Sequence, residues 1–270
     1  MLSSRIKSVL VFVPLILALI AVGGVIYDLF FLAVILLGTR ELHRLFKTMG
    51  YFSSLPLLMG CTGLFVLQRM LFPTQFSDIV LLIIVIANAI MALVRYEKGD
   101  NQAALSFAMH VAGSLYLGWL GAYFISVRHL PNGGFWALVV FVIIWLIDMC
   151  AYFIGVRWGR HKLSPRLSPN KSWEGYAAGV AAGVLTGLLL SLILRRWLPE
   201  FYLYKGLLLG LVVALFTPIG DVFISMLKRI AGVKDTGVLI PGHGGILDRI
   251  DTWMWAMMLG YYLIVLFGTA

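Results

Sequence analysis

Six of the chain's 12 carboxylates, Asp148, Glu174, Asp221, Asp235, Asp248 and Asp251, fall on one apolar stretch of the C-terminal half or in its two long polar segments rich in lysine and arginine. The first polar segment ends in Ser168-Pro169-Asn170-Lys171-Ser172-Trp173-Glu174-Gly175. A proline-set turn there brings hydroxyl and amide donors, a lysine and a carboxylate to the start of an apolar run. Ser172 is placed to cap the helix that follows, with Glu174 in its first turn. The N–H groups of such a helix end suit a phosphate. The second segment, residues 220–251, reads GDVFISMLKRIAGVKDTGVLIPGHGGILDRID. If its first part is helical, Asp221, Ser225 and Lys228 share one face, with Arg229 beside them. Lys234 and Asp235 follow Gly232. The turn Pro241-Gly242-His243-Gly244-Gly245 exposes backbone, and Asp248 and Asp251 then lie at i,i+3 around Arg249.

Several carboxylates without clustered cysteines or histidines suit a hard, oxygen-seeking cation, Mg²⁺ ahead of Zn²⁺. Lysines and arginines among them suit phosphate oxygens. The combination describes phosphoryl or nucleotidyl transfer, where catalysis is mainly positioning and charge neutralisation. Two carboxylate-held cations could clamp the attacking and leaving oxygens. Donor, acceptor and the bond cleaved do not follow from spacing. Isolated charges such as Glu41, Glu97 and Asp100 sit beside basic residues and read as solvated or paired surface groups.

These segments must be held by a membrane-embedded frame. Of 270 residues, 61% are hydrophobic and 12% charged, against about 45–50% and about 25% in soluble domains. Soluble and disordered classes are excluded. Cys61 and Cys150, both in apolar stretches, exclude a disulfide scaffold and most thiolate metal sites. Nine stretches are predicted as spans: 9–26, 27–39, 52–67, 79–94, 103–127, 134–156, 175–194, 203–220 and 252–268. Arg5 and Lys7 precede the first, and without a small-residue cleavage site it reads as an uncleaved span. With the N-terminus in the cytoplasm and the C-terminus out, 16 of the 21 lysines and arginines fall inside. The net charge of +9 therefore reads as topology and affinity for anionic lipid or phosphate, not nucleic acid. Asp148 lies well inside the sixth span, where an ionisable group is costly and faces a polar cavity or a partner. Gly175, Gly179, Gly183 and Gly187, at four-residue spacing, form a helix-packing face. The expectation is an all-α polytopic integral membrane protein forming a single membrane domain. Residues 1–130 are its helical scaffold and residues 131–270 its motif-bearing part.

The run SMLKRIAGVKDTGVLIPGHGGILDRID, from Ser225 to Asp251, resembles the signature of the phosphatidate cytidylyltransferases (CDP-diacylglycerol synthases). Asp148-x-x-Ala151-Tyr152-x-x-Gly155 and SPNKSWEG resemble further motifs of that family, with Asn170 and Ser172 where Lys and Thr are more usual. The resemblance implies that CTP and phosphatidic acid give CDP-diacylglycerol and pyrophosphate. It implies Mg²⁺, up to two cations per site, with Asp221 and Asp248 as the foremost ligands and Asp148 and Asp251 as further ligands or supporting partners. Lys171, Lys228 and Arg229, with Lys234 and Arg249, are candidates for the triphosphate and lipid phosphate. Ser168, Asn170, Ser172, Glu174, Ser225 and Asp235 are candidate substrate contacts. His243 either hydrogen-bonds a phosphate or orders its loop, and Gly244 and Gly245 would let backbone N–H groups approach one. The same resemblance implies a homodimer among membrane lipids in a bacterial-type inner membrane, its site facing the cytoplasm.

Two other readings compete. One is a CTP-dependent enzyme acting on another lipid phosphate or on a polyprenol. The other, from a different class, is a secondary transporter, which would also place an aspartate in the membrane among glycine-rich helices. A transporter has no need of the second polar segment. The D-G-x-x-A-R pattern expected of a CDP-alcohol phosphotransferase is absent from the sequence.

Overall fold

A computed structural model describes residues 2–73, 75–237 and 244–268, with side chains from residue 12 onward. It is mostly helical. The elements are α1 (Leu2–Val22), α2 (Gly24–Thr48), α3 (Leu55–Leu71), α4 (Ser77–Glu97), α5 (Ala103–Ser114), α6 (Tyr123–Arg128), α7 (Gly133–Trp158), β1 (Lys162–Ser164), β2 (Ser168–Ser172), α8 (Trp173–Ile193), α9 (Leu203–Phe216), α10 (Pro218–Ile230) and α11 (Leu247–Leu266). A π-helical turn, Leu115–Trp119, lies between α5 and α6.

Several boundaries follow from single residues. Gly23 and Gly24 both have positive φ, 61° and 54°, a conformation glycine adopts without steric cost, and they separate α1 from α2. The expected first span, 9–26, is cut there. Pro56 sits at the start of α3 and Pro218 opens α10, positions where a missing N–H costs nothing. Ser172 caps α8, its Oγ accepting from Gly175 N at 3.2 Å, and Glu174 lies in the first turn, both as expected. An antiparallel hairpin, β1–β2, interrupts the all-helical picture, pairing Lys162 with Ser172 and Ser164 with Ser168 around an irregularity.

Five helical stretches are long and apolar enough to cross a bilayer: Ser77–Glu97, Ala103–Arg128, Gly133–Trp158, Trp173–Arg196 and Leu203–Ile230. Phe12–Val22 and Leu55–Leu71 are apolar but shorter. The protein is thus a multi-pass membrane protein, with five rather than nine helices meeting this measure among the described residues. On α4, Ile79, Leu82, Ile83, Ile86, Ile90 and Leu93 are all exposed, whereas Ile84 and Asn88 are fully buried. Water would not tolerate so wide an apolar face, and lipid does.

The chain divides into two compact units. The first comprises Met1–Ser126 and Leu227–Ile250. Its core stacks Phe31 on Phe124, ring centroids 4.3 Å apart, with Tyr27 donating to Phe124 O at 3.3 Å. Around these, Ile35, Leu42, Leu58 and Phe65 are buried. The π turn approaches α3 closely: a Cβ at Gly118 would stand 2.9 Å from Phe65 and 3.0 Å from the Thr62 backbone.

The second unit comprises Val127–Met226 and Asp251–Ala270. Here α8 packs between α7 and α9 through the expected glycine stripe. Gly175 and Gly179 lie against Gly155, Ala151 and Ile147 of α7. Gly183 and Gly187 lie against Gly210 and Gly206 of α9, so closely that a Cβ at Gly187, Gly206 or Gly210 would run into backbone. The stripe is a packing seam within the chain. Trp253 of α11 meets Phe141 of α7 edge-on, centroids 5.3 Å apart.

Filling that seam forces two backbones apart. Gly187→Ala and Gly210→Ala are each expected to cost about 1–3 kcal/mol, the usual penalty of overpacking. Gly60→Ala, on α3 with nothing within 4 Å of the new methyl group, is expected to be neutral or stabilising by about 0.5–1 kcal/mol. Thermal unfolding of the three variants in detergent checks the contrast.

Candidate active site

In the first unit, Lys228 near the end of α10 donates from Nζ to Asp248 Oδ1 at 2.5 Å. The other oxygen of Asp248 accepts from Thr236 N at 2.9 Å and Gly245 N at 3.0 Å, and lies 3.0 Å from Thr236 Oγ1. Asp248 therefore clasps the two described ends of the glycine-containing loop while facing a lysine. Burial alone would raise its pKa. The bonds from Lys228, Thr236 and Gly245 outweigh that, so the carboxyl lies below its ordinary range and stays charged. The side chains of Lys228 and Asp248 are 14% and 6% exposed, so this ion pair is largely removed from water. Deleting one partner of such a pair costs about 3–5 kcal/mol, because the other is left buried and charged.

Beneath this pair sits Glu41 of α2, 1% exposed. Its carboxylate accepts from Ile246 N at 3.0 Å and Leu247 N at 2.9 Å, which are among the first N–H groups of α11. It also lies 2.8 Å from Thr236 Oγ1, so the single hydroxyl proton of Thr236 sits between two carboxylates. A Cβ on Gly237 or Gly245 would collide with Glu41. That is why these loop positions are glycine. Glu41 is a correction to the surface role expected of it. Its helical spacing from Gly38, Leu42 and Leu45, all on the buried face of α2, is the signal that could have found it.

In the second unit, Lys171 Nζ of β2 pairs with Asp221 Oδ2 of α10 at 2.6 Å. Ser225, one turn on from Asp221, donates to Asp221 Oδ1 at 3.2 Å. The anticipated face of α10 is thus real, and the hairpin brings a lysine to it. Beside Lys171, Ser172 is occupied with its cap. Glu174 accepts from His161 N at 3.2 Å and pairs with His161 Nδ1 at 2.7 Å, closing the base of the hairpin. Ser168 and Asn170 lie on β2, with Asn170 exposed. Asp251 is 4% exposed at the start of α11, and its backbone O lies against Gly220.

Arg229, Lys234, Asp235 and Arg249 are exposed, and Asp148 is exposed on α7. Gly244 has φ 79° and lies against Asp235 and Asp248. His243 lies outside the described residues. Among the described residues, no three His, Cys, Asp or Glu side chains gather as a ready metal site. The donor chemistry nevertheless suits a hard cation. Asp221 and Asp248 each present a carboxylate oxygen to an ammonium group, the position a divalent ion would claim.

Residues 3–267 match the Cytidylyltransferase family. The chain is 32% identical to a phosphatidate cytidylyltransferase of Bacillus subtilis (strain 168), over 91% of this chain and 96% of that protein. It is 30% identical to one of Synechocystis, over 98% of this chain and 97% of that protein. It is 32% identical to one of Staphylococcus aureus (strain COL), over 97% of each. The chain belongs to the cytidylyltransferase family.

Two measurements test the loop network. Asp248 has a depressed pKa in the folded state, so its stabilisation is complete above the ordinary carboxylate value of 3.8 and is lost as the pH falls below it. The wild-type melting temperature is expected to drop over that acid range, with the Asp248→Asn variant lacking this part of the dependence. Glu41→Gln, which puts an amide where three donors converge, is expected to cost about 1–3 kcal/mol. It should also speed hydrogen exchange at residues 244–250.

Proposed function

We propose that the protein is a phosphatidate cytidylyltransferase, joining CTP and phosphatidic acid into CDP-diacylglycerol and releasing pyrophosphate. The observation that carries this reading is that three relatives bearing that name each cover 91% or more of the chain. The two lysine–carboxylate pairs supply a chemistry that fits it. An oxygen of the lipid phosphate attacks the α-phosphorus of CTP. A new P–O bond forms, the bond from the α-phosphorus to the oxygen bridging to the β-phosphorus breaks, and pyrophosphate leaves with that electron pair. The nucleophile is already anionic and needs no strong base. The difficulty is repulsion between like charges, and the residues that matter are those that offset it.

Lys171 and Lys228 take the role of phosphate-binding cations. Both are held by carboxylates in the free protein and can exchange that partner for a phosphate oxygen at little cost in geometry. Arg229, Lys234 and Arg249, all exposed, are the further cationic contacts, and His243 with Gly244 belongs to the loop that orders the substrate. Asp221 and Asp248 are the residues that would hold Mg²⁺, with Asp148 and Asp251 as supporting carboxylates. When bound, Mg²⁺ would neutralise phosphate charge and polarise the α-phosphorus. Ser225 orients Asp221, while Thr236 and Gly245 orient Asp248. We place these groups on the cytoplasmic side of a bacterial inner membrane, in a nine-span, N-in and C-out arrangement that works as a homodimer. CTP is available on that side, and the acyl chains stay in lipid.

The test is turnover by detergent-purified protein with phosphatidic acid, labelled CTP and Mg²⁺, following CDP-lipid and pyrophosphate together. Equal formation of both is expected, abolished by EDTA and lowered by about 10²–10³ in Asp221→Asn and Asp248→Asn, the scale of a lost charge-stabilising group. Undiminished activity in both variants would remove these carboxylates from the site. No product in a folded preparation would remove the reaction.

A further inference from the structure

A polar cavity of about 430 Å³ lies wholly within the first unit, and none of the candidate catalytic, substrate or metal residues lines it. It is framed by the end of α2, the end of α4 and the start of α5. Lys47 and Arg95 bring cations from the last turns of α2 and α4. Arg95 lies over the ring of Phe52, its Cζ 3.2 Å from the centroid. Its Nε and Nη2 both donate to Asp100 Oδ2, at 2.9 and 2.6 Å. Asp100 Oδ1 accepts from Gln102 N at 2.9 Å. Both oxygens of Asp100 thus have protein donors, and the arginine is held as a rigid plate with its remaining N–H groups available.

The third wall is the N-terminus of α5, a 12-residue helix whose N-cap, Gln102, makes no side-chain cap among the described residues; the N–H groups of Gln102 and Ala103 go to Asp100, and the next ones, on Ala104 and Leu105, are those that can face an anion. Uncapped N–H groups at a helix start attract anions. Ser106, in the first turn and lining the same cavity, is 0% exposed, and its Oγ has no hydrogen-bond partner among the described residues. A buried hydroxyl without a partner is a cost that a ligand would remove. Lys47 is exposed at the cavity's edge. An ammonium, a stacked guanidinium, a helix N-terminus and an unused hydroxyl are the elements of a phosphate site. The cavity falls within the about 300–1,000 Å³ typical of small-molecule pockets, so it has room for an organic group as well as the anion.

We propose that this cavity binds a phosphate ester, with Lys47, Arg95 and Ser106 as its ligands to the phosphate oxygens. The site shares no residue with the proposed cytidylyl-transfer set and does not depend on that reading. The phosphate could belong to an anionic phospholipid headgroup or to a soluble metabolite, and the experiment separates them. In one arm, detergent-purified protein is titrated with glycerol 3-phosphate. In the other, it is placed in nanodiscs of phosphatidylcholine with and without phosphatidylglycerol. Melting temperature is the readout, for wild type, Lys47→Gln and Ser106→Ala. Stabilisation of wild type in either arm is expected, with apparent affinity roughly tenfold or more weaker in each variant. A response to glycerol 3-phosphate alone assigns a soluble ligand, and a response to phosphatidylglycerol alone a headgroup. Without ligand, Ser106→Ala should melt no lower than wild type, because the lost hydroxyl bonds nothing, and this separates ligand loss from misfolding. No stabilisation in either arm, or stabilisation of equal strength in wild type and both variants, would overturn the proposal.

Discussion

The loop preceding α11 depends on two buried carboxylates that share one hydroxyl. Asp248 and Glu41 both lie at hydrogen-bond distance from Thr236 Oγ1, and each also takes backbone N–H groups from the chain around residues 245–247. Like charges so placed repel, and the arrangement stands because every oxygen has donors and Lys228 faces one of them. The glycines at 237 and 245 follow from the same crowding. So does the start of α11, whose first N–H groups are satisfied by a residue about 200 positions earlier. A segment of the signature is therefore shaped from the N-terminal part of the chain, which the sequence reading treats as scaffold alone.

This explains what could and could not be read beforehand. Local rules carried well. The cap at Ser172, Glu174 in the first turn of α8 and the shared face of Asp221 and Ser225 all depend on neighbours within a turn or two. The glycine stripe was legible because its period is that of the helix, although its partners on α7 and α9 were not. Glu41 was missed because its partners are remote in sequence and because adjacent arginines suggested solvent. The pairing of Lys171 with Asp221 was hidden for a related reason, since a hairpin rather than a plain loop delivers the lysine. The break at Gly23 and Gly24 is a backbone event inside an unbroken apolar run, where hydropathy carries no signal.

The two lysine–carboxylate pairs share a logic suited to phosphate chemistry in a membrane protein. A lysine without a counter-ion near lipid is expensive, and a carboxylate without one more so. In the reading proposed above, pairing them would hold the side chains oriented in the resting protein until an anionic substrate arrives. The cavity around Arg95 solves the same problem differently. There an aromatic ring and an aspartate hold the guanidinium, and a helix end contributes partial charge with no ionisable group at all.

The glycine seam between α8 and α9 carries an evolutionary consequence. Where helices meet through side chains, a damaging substitution can be answered by a smaller neighbour across the interface. Between Gly187 and Gly206, and between Gly183 and Gly210, there is no smaller neighbour to choose. Sequence drift at these positions can be absorbed only by displacing a whole helix, and α8 is capped by Ser172, next to Lys171. Variation should therefore be tolerated on the lipid-facing side of α8, at Leu185, Leu189 and Leu192, and arrested on the opposite side, so that one helix carries two rates of change.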